Sequence, residues 1–237
     1  MKYPPPVSDR PQLTLVVPVY DERSTVLEVI ERLHALPFSK QIVVVDDGST
    51  DGTTESLATL DHPDVQVVHH DRNRGKGAAL RTGFALARGR IVAVQDADLE
   101  YDPVDLPALM QPILDGKADV VYWSRLSGGR PQRVFLFWHL VGNRLLSLLT
   151  NVLFNTTLSD METGYKVMRR EVLEGIRLRS DDFTVEPELT AKILKGRWRV
   201  YELPIAYYGR SYDEGKKITW RHGVTAVVAL FRYRFSD

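Results

Sequence analysis

Five short apolar runs, most of them separated by segments of helical spacing, constrain this chain more than any other feature. They are Leu13–Val19 (LTLVVPV), Gln41–Asp46 (QIVVVD), Val65–His69, Arg90–Gln95 (RIVAVQ) and Ala118–Trp123 (ADVVYW). A nearly continuous apolar run is the mark of a strand buried on both faces. Helical spacing separates them over Arg23–Leu36, where Val26, Val29, Ile30 and Leu33 recur, over Thr54–Leu60 and over Gly75–Arg88. Strands alternating with helices imply right-handed crossovers and an α/β fold with a mostly parallel central sheet, Rossmann-like and flanked by helices. Ligands of such sheets sit at the carboxyl ends of the strands. That directs attention to Pro18–Glu22, Asp46–Asp51 and Asp96–Glu100.

The second half reads differently. A long helical region, Val134–Thr156, leads into the segment Asp160–Arg169, and helices are expected at Glu171–Ile176, Val185–Lys195 and Thr219–Phe235. Val200–Tyr208 reads as one or two short strands around Pro204. No internal repeat or low-complexity linker divides the 237 residues, so the expectation is one domain. It comprises an extended tail (1–12), a first half (13–125) and a second half with amphipathic helices (126–237). MKYPPPVSDR lacks the apolar stretch of a signal peptide. Val134–Phe154 is the nearest approach to a membrane span, but it carries His139, Asn143, Arg144 and Asn151. A mid-span Arg costs about 2.5–3.5 kcal/mol even on a mild scale, so the segment is read as non-spanning.

Charge sharpens the division. The chain holds 31 basic and 31 acidic residues, which excludes a globally basic nucleic-acid binder and an acidic disordered chain. Residues 1–121 hold 12 basic and 19 acidic residues, and residues 122–237 hold 19 and 12. An acidic half suits metal binding, and a basic half suits phosphates or an anionic surface; solvated faces are the alternative. There is no cysteine, hence no disulfide, thiolate metal site or thiol nucleophile.

Asp96-Ala97-Asp98 directly follows a strand. Two carboxylates with one small residue between them can converge on one hard divalent cation, leaving positions open for substrate phosphates, and Glu100 adds a third oxygen donor. A solvated turn is the alternative reading. Asp46-Asp47-Gly48-Ser49 is a second acidic loop, where Asp47 can accept from the N–H edge of a nucleobase while Ser49 or Asp51 caps the next helix. Asn73-Arg74-Gly75-Lys76-Gly77 can offer N–H groups and a cation to phosphate at a helix start, or serve only as a capping turn. No GxxxxGK[ST] occurs, and the first strand is followed by PVYDER rather than GxGxxG.

Taken in order, Val16-Val17-Pro18-Val19-Tyr20-Asp21-Glu22, Val45–Thr53 (VDDGSTDGT), Asn73–Gly77 and Asp96-Ala97-Asp98 resemble the family 2 inverting glycosyltransferases of the GT-A fold. Within that family the chain looks most like the dolichyl- or polyprenyl-phosphate hexose synthases that use mannose or glucose. Asp160–Lys166 (DMETGYK) and Arg210–Lys217 (RSYDEGKK) extend the match to about Leu13–Trp220. The resemblance implies a nucleotide-binding half and a helical acceptor-binding half. Pro18, Tyr20, Glu22 and Asp47 line the base and ribose of a GDP- or UDP-hexose. Asp96 and Ala97 lie near ribose and metal, and Asp98 with the residue two positions on ligates Mg²⁺ or Mn²⁺. That second ligand is commonly Gln in the dolichyl-phosphate mannose enzymes; here Glu100 adds a negative charge. Arg125 approaches a phosphate, and Arg210 and Lys216 close over the diphosphate.

Inverting transfer places growing negative charge on the departing diphosphate, so a metal and cations there stabilise the transition state. A polyprenyl phosphate acceptor is already anionic and needs no strong base. Asp160 is the first choice of carboxylate to orient the acceptor and Glu186 the second; the alternatives are a turn residue and a first-turn helix carboxylate. The acceptor side is expected from Val134–Phe154. There His139, Asn143, Ser147 and Thr150/Asn151 form one polar stripe in an otherwise apolar helix, suited either to a core or dimer interface or to the bilayer surface. Arg130 and Arg133 precede it, and Val224–Phe231 with Arg232 and Arg234 is a second interfacial candidate. These features suggest a peripheral protein on the cytoplasmic face of a membrane. The competing readings are the same donor chemistry on a soluble or polysaccharide hydroxyl, and a non-catalytic sugar-nucleotide or membrane-binding module.

Overall fold

The computed structural model describes residues 10–129, 133, 137–209 and 220–236. Seven strands form one sheet: β1 (Leu13–Val19), β2 (Lys40–Asp46), β3 (Val65–His69), β4 (Ile91–Val94), β5 (Val120–Ser124), β6 (Lys166–Arg169) and β7 (Val200–Pro204). Their order is β3-β2-β1-β4-β6-β5-β7. All run parallel except β6, which is antiparallel to both its neighbours. The sheet therefore continues through both halves of the chain.

The apolar runs are explained by burial on both faces. Leu13, Leu15, Val17 and Val19 of β1 pack with Ile30 and Leu33 of α1 (Val26–His34), Leu57 of α2 (Thr53–Leu57) and Leu109 of α4 (Leu106–Leu114). Val16 points the opposite way, into a core with Leu80 of α3 (Lys76–Leu86), Val172 of α6 (Arg170–Glu174) and Leu189 of α7 (Val185–Lys195). Alternate residues of one strand thus serve two helical layers. Beyond α7, helices α5 (Phe137–Phe154) and α8 (Trp220–Phe235) pack together around Met161.

Two elements were not legible in the sequence. Helix α4, with Pro107 at its start and Pro112 inside, lacks the unbroken pattern of a good helix former, yet buries Leu106, Leu109, Met110 and Ile113. Strand β6 is only KVMR, and its Lys166 is fully buried. An alternation broken by a buried lysine carries no strand signal. Its insertion between β4 and β5 has a functional consequence. Because β6 is antiparallel, the loop that precedes it, Asp160–Tyr165, emerges at the same edge as the carboxyl ends of the parallel strands.

Candidate active site

A cleft of about 570 Å³ opens at that edge. Pro18, Tyr20 and Glu22 line it from the end of β1, Asp47 from β2, Asp96, Ala97, Asp98 and Glu100 from β4, Arg125 from β5 and Tyr207 from beyond β7. Nine of the expected site residues, the three expected metal ligands among them, thus share one hollow. Arg210 and Lys216, with Arg130, lie outside the described residues. A second hollow, ringed by Arg10, Lys40, Arg88 and Arg170, lies at the amino ends of the strands, the wrong end for a ligand of an open parallel sheet.

The loop after β2 is tightly built. The carboxylate of Asp47 accepts from the backbone N–H of Arg74 at 3.0 and 3.1 Å, from Gly75 N–H at 2.7 Å and from His70 Nδ1 at 2.6 Å. Asp47 therefore holds the Asn73–Gly77 turn in place as it lines the cleft. Burial would raise neighbouring Asp46, but hydrogen bonds from Ser49, Thr54 and His69 outweigh it and hold the carboxyl below its ordinary range. Glu22 is similarly engaged, accepting from Thr25 Oγ1 at 3.2 Å.

Asn73, Gly75 and Lys76 line the cleft, with the donors of this turn engaged inside the protein. Two of its N–H groups go to Asp47, and Lys76 is ion-paired with Asp96 at 2.8 Å and with Glu186 at 3.1 Å. Burial works against the Lys76 charge, and the two carboxylates more than restore it. Glu186 continues the chain to Lys166 at 2.5 Å, and Lys166 also donates to Thr163 O. The result is a row of alternating charge, Asp96–Lys76–Glu186–Lys166, half-buried at the cleft end and buried at Glu186 and Lys166, linking the donor loop to α3, α7 and β6. Two glycines pack closely beside it. Gly75 adopts φ 95° and a Cβ there would stand 2.3 Å from Asp181 O. A Cβ on Gly164 would stand 2.3 Å from Asp96 Oδ2, so the Asp160–Tyr165 loop lies directly against that carboxylate.

Asp160, the expected acceptor carboxylate, faces elsewhere. It is fully buried, and it takes Arg125 Nε at 2.6 Å, Nη2 at 2.8 Å and the Arg125 backbone N–H at 3.0 Å. Arg125 also lies over the Tyr207 ring, 5.3 Å from its centroid. This bidentate clamp fixes the guanidinium at the cleft wall. Glu186, the second choice, is committed to two lysines; burial raises its carboxyl, but Lys166 and Lys76 bring it below the ordinary glutamate range. Both carboxylates are thus bonded to cations of the protein.

The Asp96–Glu100 loop turns sharply at Leu99, which adopts φ 58° at a cost of about 1–2 kcal/mol. The turn brings Glu100 N–H to Asp98 Oδ1 at 3.2 Å. Glu100 Oε2 accepts from Tyr207 O–H at 2.8 Å, and Tyr207 joins Tyr101, Tyr165 and Trp123 in an aromatic floor where Trp123 and Tyr165 stack at 4.0 Å. Among the described residues no three Asp, Glu or His side chains converge as a metal cage; with Asp96 held by Lys76, the three-carboxylate expectation reduces to Asp98 and Glu100. Mg²⁺ typically takes one or two carboxylates plus substrate phosphates, so this donor set fits a divalent ion bound together with a diphosphate.

The opposite wall holds residues that the sequence did not single out as site residues. Glu162, Gly164, Asp182, Phe183 and His222 line the cleft beside His139 and Asn143 of α5. The polar stripe expected on α5 faces inward: Ser147 Oγ accepts from Met161 N–H at 3.1 Å, and Asn151 donates to Leu158 O at 2.9 Å. Its apolar side, with Trp138, Leu145, Leu148 and Val152, is exposed. Glu162 stood in the DMETGYK motif beside Asp160, but nothing in the spacing tells which carboxylate enters the cleft.

A seven-strand sheet with carboxylate loops at its carboxyl edge is the GT-A architecture. Glucosyl-3-phosphoglycerate synthase from Mycobacterium tuberculosis, solved in complex with Mn²⁺, UDP and glucosyl-3-phosphoglycerate, shares it with a TM-score of 0.73. The two are 20% identical, and the match covers 97% of this chain and 81% of that one. The family description "Glycosyl transferase family 2" matches residues 14–177, and the chain belongs to that family of enzymes. Among its relatives, the polyprenol monophosphomannose synthase of Mycolicibacterium smegmatis is 34% identical over 222 residues, covering 89% of this chain and 83% of that enzyme. The dolichol-phosphate mannosyltransferase of Pyrococcus furiosus is 30% identical over 212 residues, 86% of this chain but 59% of the longer enzyme.

Proposed function

We propose that this glycosyltransferase moves a hexose, with inversion, from a GDP- or UDP-sugar to a polyprenyl phosphate at a membrane surface. The observation that carries the reading is the orientation of α5. Its polar residues His139 and Asn143 line the cleft, while Trp138, Leu145, Leu148 and Val152 are exposed. On α8, Val224, Val228, Phe231 and Phe235 are exposed at one-face helical spacing, with Arg232 and Arg234 beside them. No described helix is long and apolar enough to cross a membrane. An apolar surface with basic residues next to a polar cleft suits a chain whose lipid lies in the bilayer and whose phosphate enters the protein. Both relatives named above are, by their names, polyprenol- or dolichol-phosphate enzymes.

On this reading Pro18, Tyr20, Glu22 and Asp47 border the nucleoside, and Asp96 and Ala97 the ribose and diphosphate. Asp98 with Glu100 would hold a divalent ion, Mg²⁺ or Mn²⁺, whose charge favours departure of the diphosphate. Asp160 positions Arg125 toward phosphate, and Glu186 balances Lys76 and Lys166. Arg210 and Lys216 are assigned to the diphosphate on their sequence motif alone. The acceptor oxygen attacks the anomeric carbon as the bond to the diphosphate breaks. The commitment of Asp160 and Glu186 to cations favours an acceptor that arrives already ionised, since a sugar hydroxyl requires a base. The chain is read as one domain, peripheral to the cytoplasmic face of the membrane.

The test supplies Mg²⁺ or Mn²⁺, a panel of GDP- and UDP-hexoses, and either polyprenyl phosphate in vesicles or soluble sugars. A lipid-linked hexose is expected. Transfer to a soluble sugar with none to lipid phosphate sinks the proposal.

A further inference from the structure

Among the described residues, the cations near the cleft carboxyl Glu162 are all committed to other carboxylates. Lys166, at the start of β6, is bonded to Glu186 and to Thr163 O. Arg125, after β5, is clamped by Asp160, and Lys76, at the start of α3, is shared by Asp96 and Glu186. Glu186 on α7 and Asp160 on its own loop add negative charge, and His139 on α5 and His222 on α8 share the cleft wall. Glu162 lines that cleft, yet its Oε1 is buried and has no hydrogen-bond partner among the described residues. Burial, reinforced by Glu186, pushes its carboxyl up to about 7, against a weaker pull from Lys166 and Arg125.

A neutral carboxylic acid is a donor, whereas a carboxylate only accepts. Beside an arriving phosphate the difference is decisive, because the acid bonds an anionic oxygen and the carboxylate repels it. A carboxyl kept neutral by an apolar or anionic site and used to bind an oxyanion is an established device. An incoming anion also disfavours ionisation of the carboxyl further.

We propose that Glu162, in its protonated form, is a hydrogen-bond donor to the acceptor phosphate. This rests on the reading of the acceptor as a polyprenyl phosphate. No bond is made or broken at Glu162, and the proton stays on its carboxyl through binding. Acceptor affinity is then coupled to protonation of one residue on the wall opposite the donor loops.

The experiment measures kcat and acceptor KM from pH 5.5 to 9 for the full chain, with polyprenyl phosphate in vesicles, for wild type, Glu162→Gln and Glu162→Ala. Donor affinity is followed separately by binding of the nucleotide sugar. In the wild type, acceptor KM rises above pH about 7, by more than about 10-fold toward pH 9, since the ionised carboxyl loses the bond and also repels the phosphate. Glu162→Gln keeps an uncharged donor at every pH, so its KM stays low and that rise is flattened. Glu162→Ala has a KM about 10-fold higher at pH 6.5, and donor affinity is the same in all three. The proposal is overturned if the alkaline rise persists in Glu162→Gln, since it then belongs to the phosphate itself or to a histidine. It is equally overturned if both variants lower kcat alike with acceptor KM unchanged, the pattern of a general base. A wild type that binds donor but transfers nothing to lipid phosphate overturns the proposed function and this inference with it; turnover in the wild type together with either variant result above removes the inference alone.

Discussion

The two walls of the cleft are built on opposite principles. On the donor wall, every carboxylate with a described partner is already satisfied: Asp47 by two backbone N–H groups and His70, Asp96 by Lys76, Glu100 by Tyr207. On the acceptor wall, Glu162 Oε1 is buried without a partner among the described residues, and α5 turns its polar side in and its apolar side out. A pre-satisfied wall is rigid before its ligand arrives, which is what orientation of a charged leaving group requires. A wall with an unmet polar group and an uncovered apolar face is completed by something from outside the protein.

The largest effect that separates the walls is expected at Asp98. Asp98→Ala should lower transfer by about 10³-fold and abolish metal-dependent donor binding; full activity in that variant would remove the metal assignment. Next in size is the Asp160–Arg125 clamp, which joins the walls at the end of β5. Asp160→Ala leaves a buried guanidinium without its carboxylate and should cost about 3–5 kcal/mol of stability, read by denaturant unfolding. A loss of activity with unchanged stability would instead mean that Asp160 meets a substrate. On the outer surface, Leu148→Ser with Val152→Ser should weaken sedimentation with anionic vesicles by about 10-fold while donor affinity is kept. Equal vesicle binding would break the claim that this face meets lipid.

A separate effect, read in stability rather than in binding or rate, is the cost of the unmet carboxyl itself. The native protein holds the Glu162 proton more tightly than an unfolded chain does, with the carboxyl at about 7 instead of the ordinary 4.5. Its contribution to stability therefore falls as pH rises from about 4.5 to about 7, by at most about 3 kcal/mol. Glu162→Gln removes that slope, so its melting temperature relative to wild type should be higher at pH 8 than at pH 5. A constant difference would show that Glu162 ionises as an ordinary glutamate.

Legibility in the sequence followed the same division. Pro18, Asp47, Asp96 and Asp98 were found because each stands at the end of an apolar strand, where chain position and place in space are nearly the same thing. Asp160 was found as a residue, but its partner was not, because the bond to Arg125 spans 35 positions of sequence. Lys76 looked like a phosphate cation while Glu186, 110 positions away by subtraction, was out of sight. The α5 stripe was visible as a pattern, and which side of it faced the protein was not.

By itself the sequence determined the alternation of strand and helix, the carboxylate loops at the strand ends and the division into an acidic and a basic half, because all three are written in local pattern and composition. Only the tertiary structure decided what the charges do. The antiparallel insertion of β6, a four-residue strand with a buried lysine, carries the Asp160–Tyr165 loop to the carboxyl edge of the sheet and sets Asp160 against Arg125, Gly164 against Asp96 and Glu162 against open cleft. The physical reason is that a carboxylate's role is set by the charges within a few ångströms of it in a poorly solvated interior. Those neighbours come from strands and helices that sequence distance does not connect.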